Sequence, residues 1–179
     1  MTSFIISDHV NRPLVESWKS DVDNCTFCRI IYKGAPSYNL YENDQVIAIL
    51  DIAPLRPGHV LVVPKEHYSH LSELPEDTAG ALGKAVTKIA NALTKAMNNN
   101  GLNVVCNQEY AQAVPHVHYH IIPAPTFQAT SKISVLPASQ ETEKAPLTHN
   151  EMHRKEFEAR DQLEHEDAVE LVQRIKSKL

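Results

Sequence analysis

The sequence predicts an α+β fold: an antiparallel sheet of about five strands, one long helix laid against it, and a helical extension at the C-terminal side. Three observations predict it. Five short runs rich in β-branched and aromatic residues are separated by turn residues. One stretch between Pro75 and Gly101 repeats its apolar residues at helical spacing. The last part of the chain alternates acidic and basic residues around a second apolar stripe.

In chain order, "CTFCRIIYKGAP" carries the pair Cys25 and Cys28 into an apolar segment that Gly34 and Pro36 break off. "NLYE" and "QVIAIL" read as strands, with Asn43 and Asp44 as turn residues between them. In "DIAPLRPGHVLVVPKEH" a Pro/Gly-rich turn, Pro54 to Gly58, separates Asp51 from the strand Val60 to Val63. The helix begins with Pro75, Glu76 and Asp77, and carries Leu82, Val86, Ile89, Leu93 and Met97 on one stripe. It stops at the asparagines before Gly101. "LNVVC" is a strand, "NQEYAQA" a loop and "PHVHYHII" the last strand. The stretch from Ala124 to Leu147 is rich in Pro, Ser, Thr and Gln and reads as a connector. The organisation expected is therefore an N-terminal segment 1–24, a catalytic domain 25–125, a connector 126–147 and a charged helical tail 148–179. The stripe of that tail is Val169, Val172, Ile175 and Leu179.

At 179 residues the chain suits one domain with an appendage, and 42% hydrophobic with 22% charged residues is an ordinary globular composition. A net charge of -5 argues against a protein built to grip nucleic acid. The apolar run Phe4 to Ile6 is too short for a signal peptide core, and no run reaches membrane-spanning length. The expected compartment is the cytoplasm, with the nucleus as a second, and no membrane partner. Three cysteines make no disulfide framework. Cys25 and Cys28 point to metal or redox chemistry, whereas Cys106, alone in an apolar run, reads as a small buried hydrophobe.

The stretch "VPHVHYHIIP" puts histidines at every second position. On a strand, His116, His118 and His120 share one face at roughly 6.5–7 Å spacing, while Val117, Tyr119 and Ile121 face a core. One metal ion with bonds of about 2.0–2.1 Å cannot take all three. Two thiolates and two imidazoles would complete a tetrahedral zinc site, and the candidate set is Cys25, Cys28, His59 and His116. Surface cysteines and a strand-end histidine are the alternative. If His116 is engaged, His118 and His120 remain as neighbouring imidazoles. One can attack phosphorus, and the other can hold phosphate or protonate a leaving group. A solvated strand surface is the competing reading, and no G-x-S-x-G element supports a serine nucleophile.

Taken together, "CTFCRII", "AILDIAPLRPGHVLVVPKEH", the long helix and "VVCNQEYAQAVPHVHYHIIP" resemble the histidine triad family, in particular its zinc-containing Hint-like branch and fungal-type members. The resemblance spans about Cys25 to Pro123. It implies a symmetric homodimer and a nucleotidyl hydrolase or transferase of the phosphoramidase type, cleaving AMP-X substrates such as adenosine phosphoramidate. His118 would form a covalent nucleotidyl-histidine, and His120 would contact phosphate and assist the leaving group. Asp51 would bind the ribose hydroxyls of the purine nucleotide, and Asn107 and Gln112 match positions that contact the phosphate. It also implies a structural zinc on Cys25, Cys28, His59 and His116. Dinucleoside polyphosphate hydrolysis and a weakly active nucleotide-binding interaction module are the alternatives.

The sequence departs from the family in the loop ahead of the triad, where Asn107 and His116 are also about two residues closer than the family pattern implies. Where members carry a Gly-Gln-Ser/Thr loop ahead of the triad, this chain has "AQA", with Ala111 at the glycine and Ala113 at the hydroxyl position. Gly101 is the last glycine of the chain.

Overall fold

The computed structural model describes residues 24–125 and 162–179. Residues 1–23, the connector and the tail up to residue 161 lie outside the described residues, as do the domain boundaries expected there. In chain order the elements are α1 (Thr26–Ile31), β1 (Asn39–Glu42), β2 (Val46–Leu50), β3 (Val60–Pro64), a 3₁₀ turn (Leu71–Glu73), α2 (Glu76–Met97), β4 (Leu102–Cys106), β5 (Tyr119–Pro123) and α3 (His165–Lys176). The strands form one sheet in the order β1-β2-β3-β5-β4, and every neighbouring pair is antiparallel. This is the α+β architecture the sequence predicts.

The central strands β2 and β3 are buried along their whole length, because helices cover both faces of the sheet and period-2 alternation sends their side chains into two different cores. Val46, Ala48, Leu50, Val60 and Val62 pack with Leu82, Ile89 and Leu93 of α2. Ile47, Ile49, Leu61 and Val63 pack on the other face with Phe27, Cys28 and Ile30 of α1. Each buried aliphatic side chain contributes roughly 1.5–3 kcal/mol, so register is strongly fixed: a one-residue slip would exchange the two cores.

Between β2 and β3 the chain turns through Gly58, whose φ of 84° is the left-handed region that favours glycine. A Cβ there would press on Leu93 and Pro123, each 3.3 Å away. At its C-terminal end, α2 is closed by Asn98 in the left-handed conformation, which donates its N–H to the Thr94 carbonyl.

Helix α3 buries Ala168, Leu171 and Ile175 against the α2 side of the sheet, with Val172 half-buried. The expected stripe is corrected at two positions, since Val169 and Leu179 are exposed. Positions 168, 171, 172 and 175 follow the i, i+3, i+4, i+7 pattern of one helix face, and Val169 falls outside it. The segment leading into α3 is tied to the β2–β3 turn by a 2.9 Å bond from the Leu163 N–H to the Ile52 carbonyl. Among the described residues, no helix is long and apolar enough to cross a membrane.

Candidate active site and metal centre

The triad stretch is less regular than the sequence suggests. Strand β5 begins only at Tyr119, and His116 and His118 precede it. Ahead of the strand, Pro115 has no N–H to offer a ladder, and the Val117 N–H is taken by the Tyr68 carbonyl at 2.7 Å. Alternation nevertheless survives. Val117 and Ile121 enter the α2 core, while the three histidines lie on the α1 side, where Phe27 meets the His116 and His118 rings edge-on at 5.8 and 5.0 Å.

Antiparallel pairing then divides the histidines between the two ends of β3. Val60 pairs with Ile121 and Val62 with Tyr119, so moving back along the chain from Ile121 to His116 moves forward along β3. His116 therefore sits at the C-terminal end of β3, where its Nε2 donates to the Pro64 carbonyl at 2.8 Å. The five-residue strand separates that end from His59 by roughly 17 Å.

The expected metal set is corrected accordingly: His67, which follows β3, takes the place assigned to His59. Cys25, Cys28, His67 and His116 bring their donor atoms within 4.8 Å of one another. Cys25 caps α1 and Cys28 lies one turn on, with the Cys28 N–H 3.5 Å from the Cys25 sulfur. The His116 Nδ1 lies 3.4 and 3.6 Å from the two sulfurs, and the His67 Nδ1 lies 3.2 Å from Cys28. In a tetrahedron with Zn–S bonds of about 2.3 Å and Zn–N bonds of about 2.0–2.1 Å, the S···N edge is about 3.6 Å.

The electrostatics also fit a dication. His116 is fully buried, and because Nε2 carries the proton donated to Pro64, Nδ1 presents its lone pair to the sulfurs. Burial, with a smaller contribution from the neighbouring His67 and His118 rings, lowers its pKa to about 4, so the ring is neutral and able to ligate. Burial first, then the adjacent Cys25 sulfur, pushes the Cys28 thiol up to about 12. The Cys28 thiol in this place ionises only if a cation takes its charge. The Nε2 of His67 is buried without a hydrogen-bond partner among the described residues.

A second group forms at the opposite end of β3, where Asp51, His59 and His120 converge. Asp51 closes β2: its N–H donates to the His59 carbonyl at 2.9 Å, and its Oδ1 accepts from the Ala53 N–H at 2.9 Å. Leu55 donates its N–H to the Nδ1 of His59 at 3.2 Å. A backbone N–H can only donate, so the proton of His59 sits on Nε2, 2.9 Å from the Nδ1 of His120. With Nδ1 accepting, neutral His120 carries its proton on Nε2. Asp51 Oδ2, 3.3 Å from the Nδ1 of His59, favours any positive charge that gathers on this pair.

Between the two groups lies His118, 3% exposed. Its Nδ1–H donates to the carbonyl of His116 at 2.6 Å, which leaves the lone pair on Nε2. Burial lowers its pKa, only partly offset by that carbonyl and by Asp51, so the ring is a free base near neutral pH. Its centroid is 4.8 Å from that of His120. A buried, unprotonated nitrogen beside a second imidazole with a proton to give is an arrangement for nucleophilic attack with general acid assistance.

The remaining expected residues lie in the loop before the triad. Asn107 is half-buried at the end of β4. Gln112 is turned inward, 2% exposed. Its Oε1 accepts from the Glu109 N–H at 2.8 Å, and its Nε2 donates to the Ser69 carbonyl at 3.0 Å. Gln112, expected at the phosphate, thus also braces its own loop through backbone partners on both sides of its amide. Cys106 is half-buried rather than fully buried.

The sequence model of the HIT domain matches residues 33–126. Adenylylsulfatase HINT3 of Arabidopsis thaliana is 41% identical over 103 residues, 56% of this chain and 52% of that protein. Adenosine 5'-monophosphoramidase hnt1 of Schizosaccharomyces pombe is 39% identical over 104 residues, 57% of this chain and 75% of that protein. Among solved structures, the Hit-like protein involved in cell-cycle regulation from Bartonella henselae superposes with a TM-score of 0.64 at 30% identity, covering 88% of this chain and 98% of that one. A match over more than half of the chain, on a fold that carries the histidines as described, leads to one conclusion: the chain belongs to the HIT domain family.

Proposed function

We propose that this protein hydrolyses AMP-X compounds, with adenosine phosphoramidate as the reference substrate, through a covalent intermediate on His118. The observation that carries the reading is the fixed tautomer of His118, whose Nδ1–H is held by the His116 carbonyl so that Nε2 is free for attack. Nε2 attacks the α-phosphorus, a P–N bond forms and the P–X bond breaks. The leaving group takes the proton from Nε2 of His120, which His59 orients through Nδ1; the His59–His120 pair enters this step with one extra proton, favoured by Asp51, so that it is left neutral. Water then attacks the phosphorus, its proton passes to Nε2 of His120, and the P–N bond breaks to release AMP. Asp51 accepts from the ribose hydroxyls. The relative named adenosine 5'-monophosphoramidase supports the substrate class. The one named adenylylsulfatase makes adenosine 5'-phosphosulfate the second substrate to try.

In this reading Cys25, Cys28, His67 and His116 hold a structural zinc ion. The chain pairs as a homodimer through the edge strand β4, whose Asn103 and Val104 are exposed. The test is turnover of adenosine phosphoramidate by the wild-type protein and by His118→Ala. The variant is expected to lose at least about 10⁴-fold in kcat while keeping its fold. Equal turnover by the two proteins would remove His118 from the mechanism.

A further inference from the structure

The loop from Asn107 to His118 joins two paired strands, leaving β4 at Cys106, whose partner in β5 is Tyr119, between His118 and His120. Its shape therefore decides how the nucleophile enters the sheet. It contains no glycine, yet Glu109 and Ala111 have φ values of 56° and 58°. A residue with a Cβ holds that left-handed conformation only where its surroundings impose it.

Those surroundings come from residues 69–73, in the segment between β3 and α2. Gln108 Oε1 accepts from the Ser72 N–H at 3.1 Å. Gln112 joins the Glu109 N–H to the Ser69 carbonyl. Between these two attachments, His70 sets its Nε2 3.0 Å from Glu109 Oε1 and its Nδ1 3.1 Å from Glu73 Oε1. His70 is buried, whereas the Glu109 side chain is 62% exposed apart from this contact. Three successive points of the 69–73 segment thus grip the loop on either side of its strained residues.

We propose that His70, acting through Glu109, is a positioning residue for catalysis. From outside the loop it imposes the left-handed backbone that a glycine would adopt unaided, and so holds the loop in register with His118. The inference rests on the nucleotidyl hydrolase reading above. The latch lets Ala111 of "AQA" hold, at φ 58°, a backbone that glycine takes without help. A loop held this way keeps the phosphate environment fixed during attack, and its release should appear in kcat rather than in the ribose-anchored binding step.

The test uses Glu109→Ala, chosen because an exposed side chain can be shortened without opening the core, together with Glu109→Gln, which keeps an oxygen acceptor for His70. Hydrogen–deuterium exchange of residues 107–113 is expected to rise in Glu109→Ala and to stay near wild type in Glu109→Gln, with β4 and β5 unchanged. On adenosine phosphoramidate, Glu109→Ala should lose roughly tenfold to a hundredfold in kcat with KM within about twofold. Adding Ala111→Gly to it should restore most of that loss, because glycine accepts φ near 58° without the latch. Unchanged exchange in Glu109→Ala overturns the latch. Raised exchange with unchanged kcat, or a kcat loss that Ala111→Gly leaves untouched, overturns its positioning role. If no variant, nor the wild type, turns over the substrate, the hydrolase reading fails, and the exchange data still decide the latch.

Discussion

The two ends of β3 hold histidines of very different character. At the C-terminal end, His67 and His116 face two thiols in a closed pocket, and each presents Nδ1 to the sulfurs. At the N-terminal end, His59 and His120 face each other and a carboxylate whose side chain retains some contact with solvent. The residue type is the same and the strand is shared, but one end fixes lone pairs inward, in a cluster able to hold a cation. The other lines up N–H donors in series, as proton transfer requires. Neighbours, rather than the imidazole itself, assign the role.

The sharpest way to break this contrast is to exchange the expected effects of its two ends. Cys28→Ser or His67→Ala should lose the metal and lower stability by several kcal/mol, with Tm falling by about 10 °C or more, since a structural metal contributes to folding directly. Metal analysis and thermal unfolding check it. A variant that loses metal and keeps its Tm would make the cluster a passenger.

His59→Ala is the counterpart. It should keep about one zinc per chain and lose roughly 10²-fold in kcat on adenosine phosphoramidate, the scale of a misplaced general acid. Loss of zinc in this variant would restore His59 to the metal set and overturn the division made by the β3–β5 register.

The smallest effect is in the pH profile. Burial lowers the pKa of His118, and in the proposed mechanism its free base attacks. Falling pH therefore removes activity only as it passes through that lowered value, so the acidic limb of kcat/KM should lie below the ordinary histidine value of about 6.5. A limb at or above 6.5 would mean that desolvation does not govern this ring.

Much of this was legible in the sequence, and the failures have physical causes. Alternation in "HVHYHII" correctly separates Val117 and Ile121 from the three histidines, because side-chain period depends only on an extended backbone. The strands and α2 follow from periodicity and marked ends. Helix α1 did not, since six residues are too few to show a helical period. Nothing in "PKEHYSH" marks His67 as a ligand: its partners are remote in sequence, and only the register of β3 against β5 brings them to it. The same register excludes His59. The latch on the loop was hidden for a related reason. "AQA" reads as a loss of glycine until the structure shows His70 reaching Glu109 across 39 positions of sequence.

The 2.6 Å bond from His118 to the carbonyl of His116 has a practical consequence. The residue whose ring faces the thiols also lends its backbone to His118, so the posture of one is recorded in the other. A spectroscopic probe seated among the sulfurs would act as a built-in gauge of His118, read from the other end of β3.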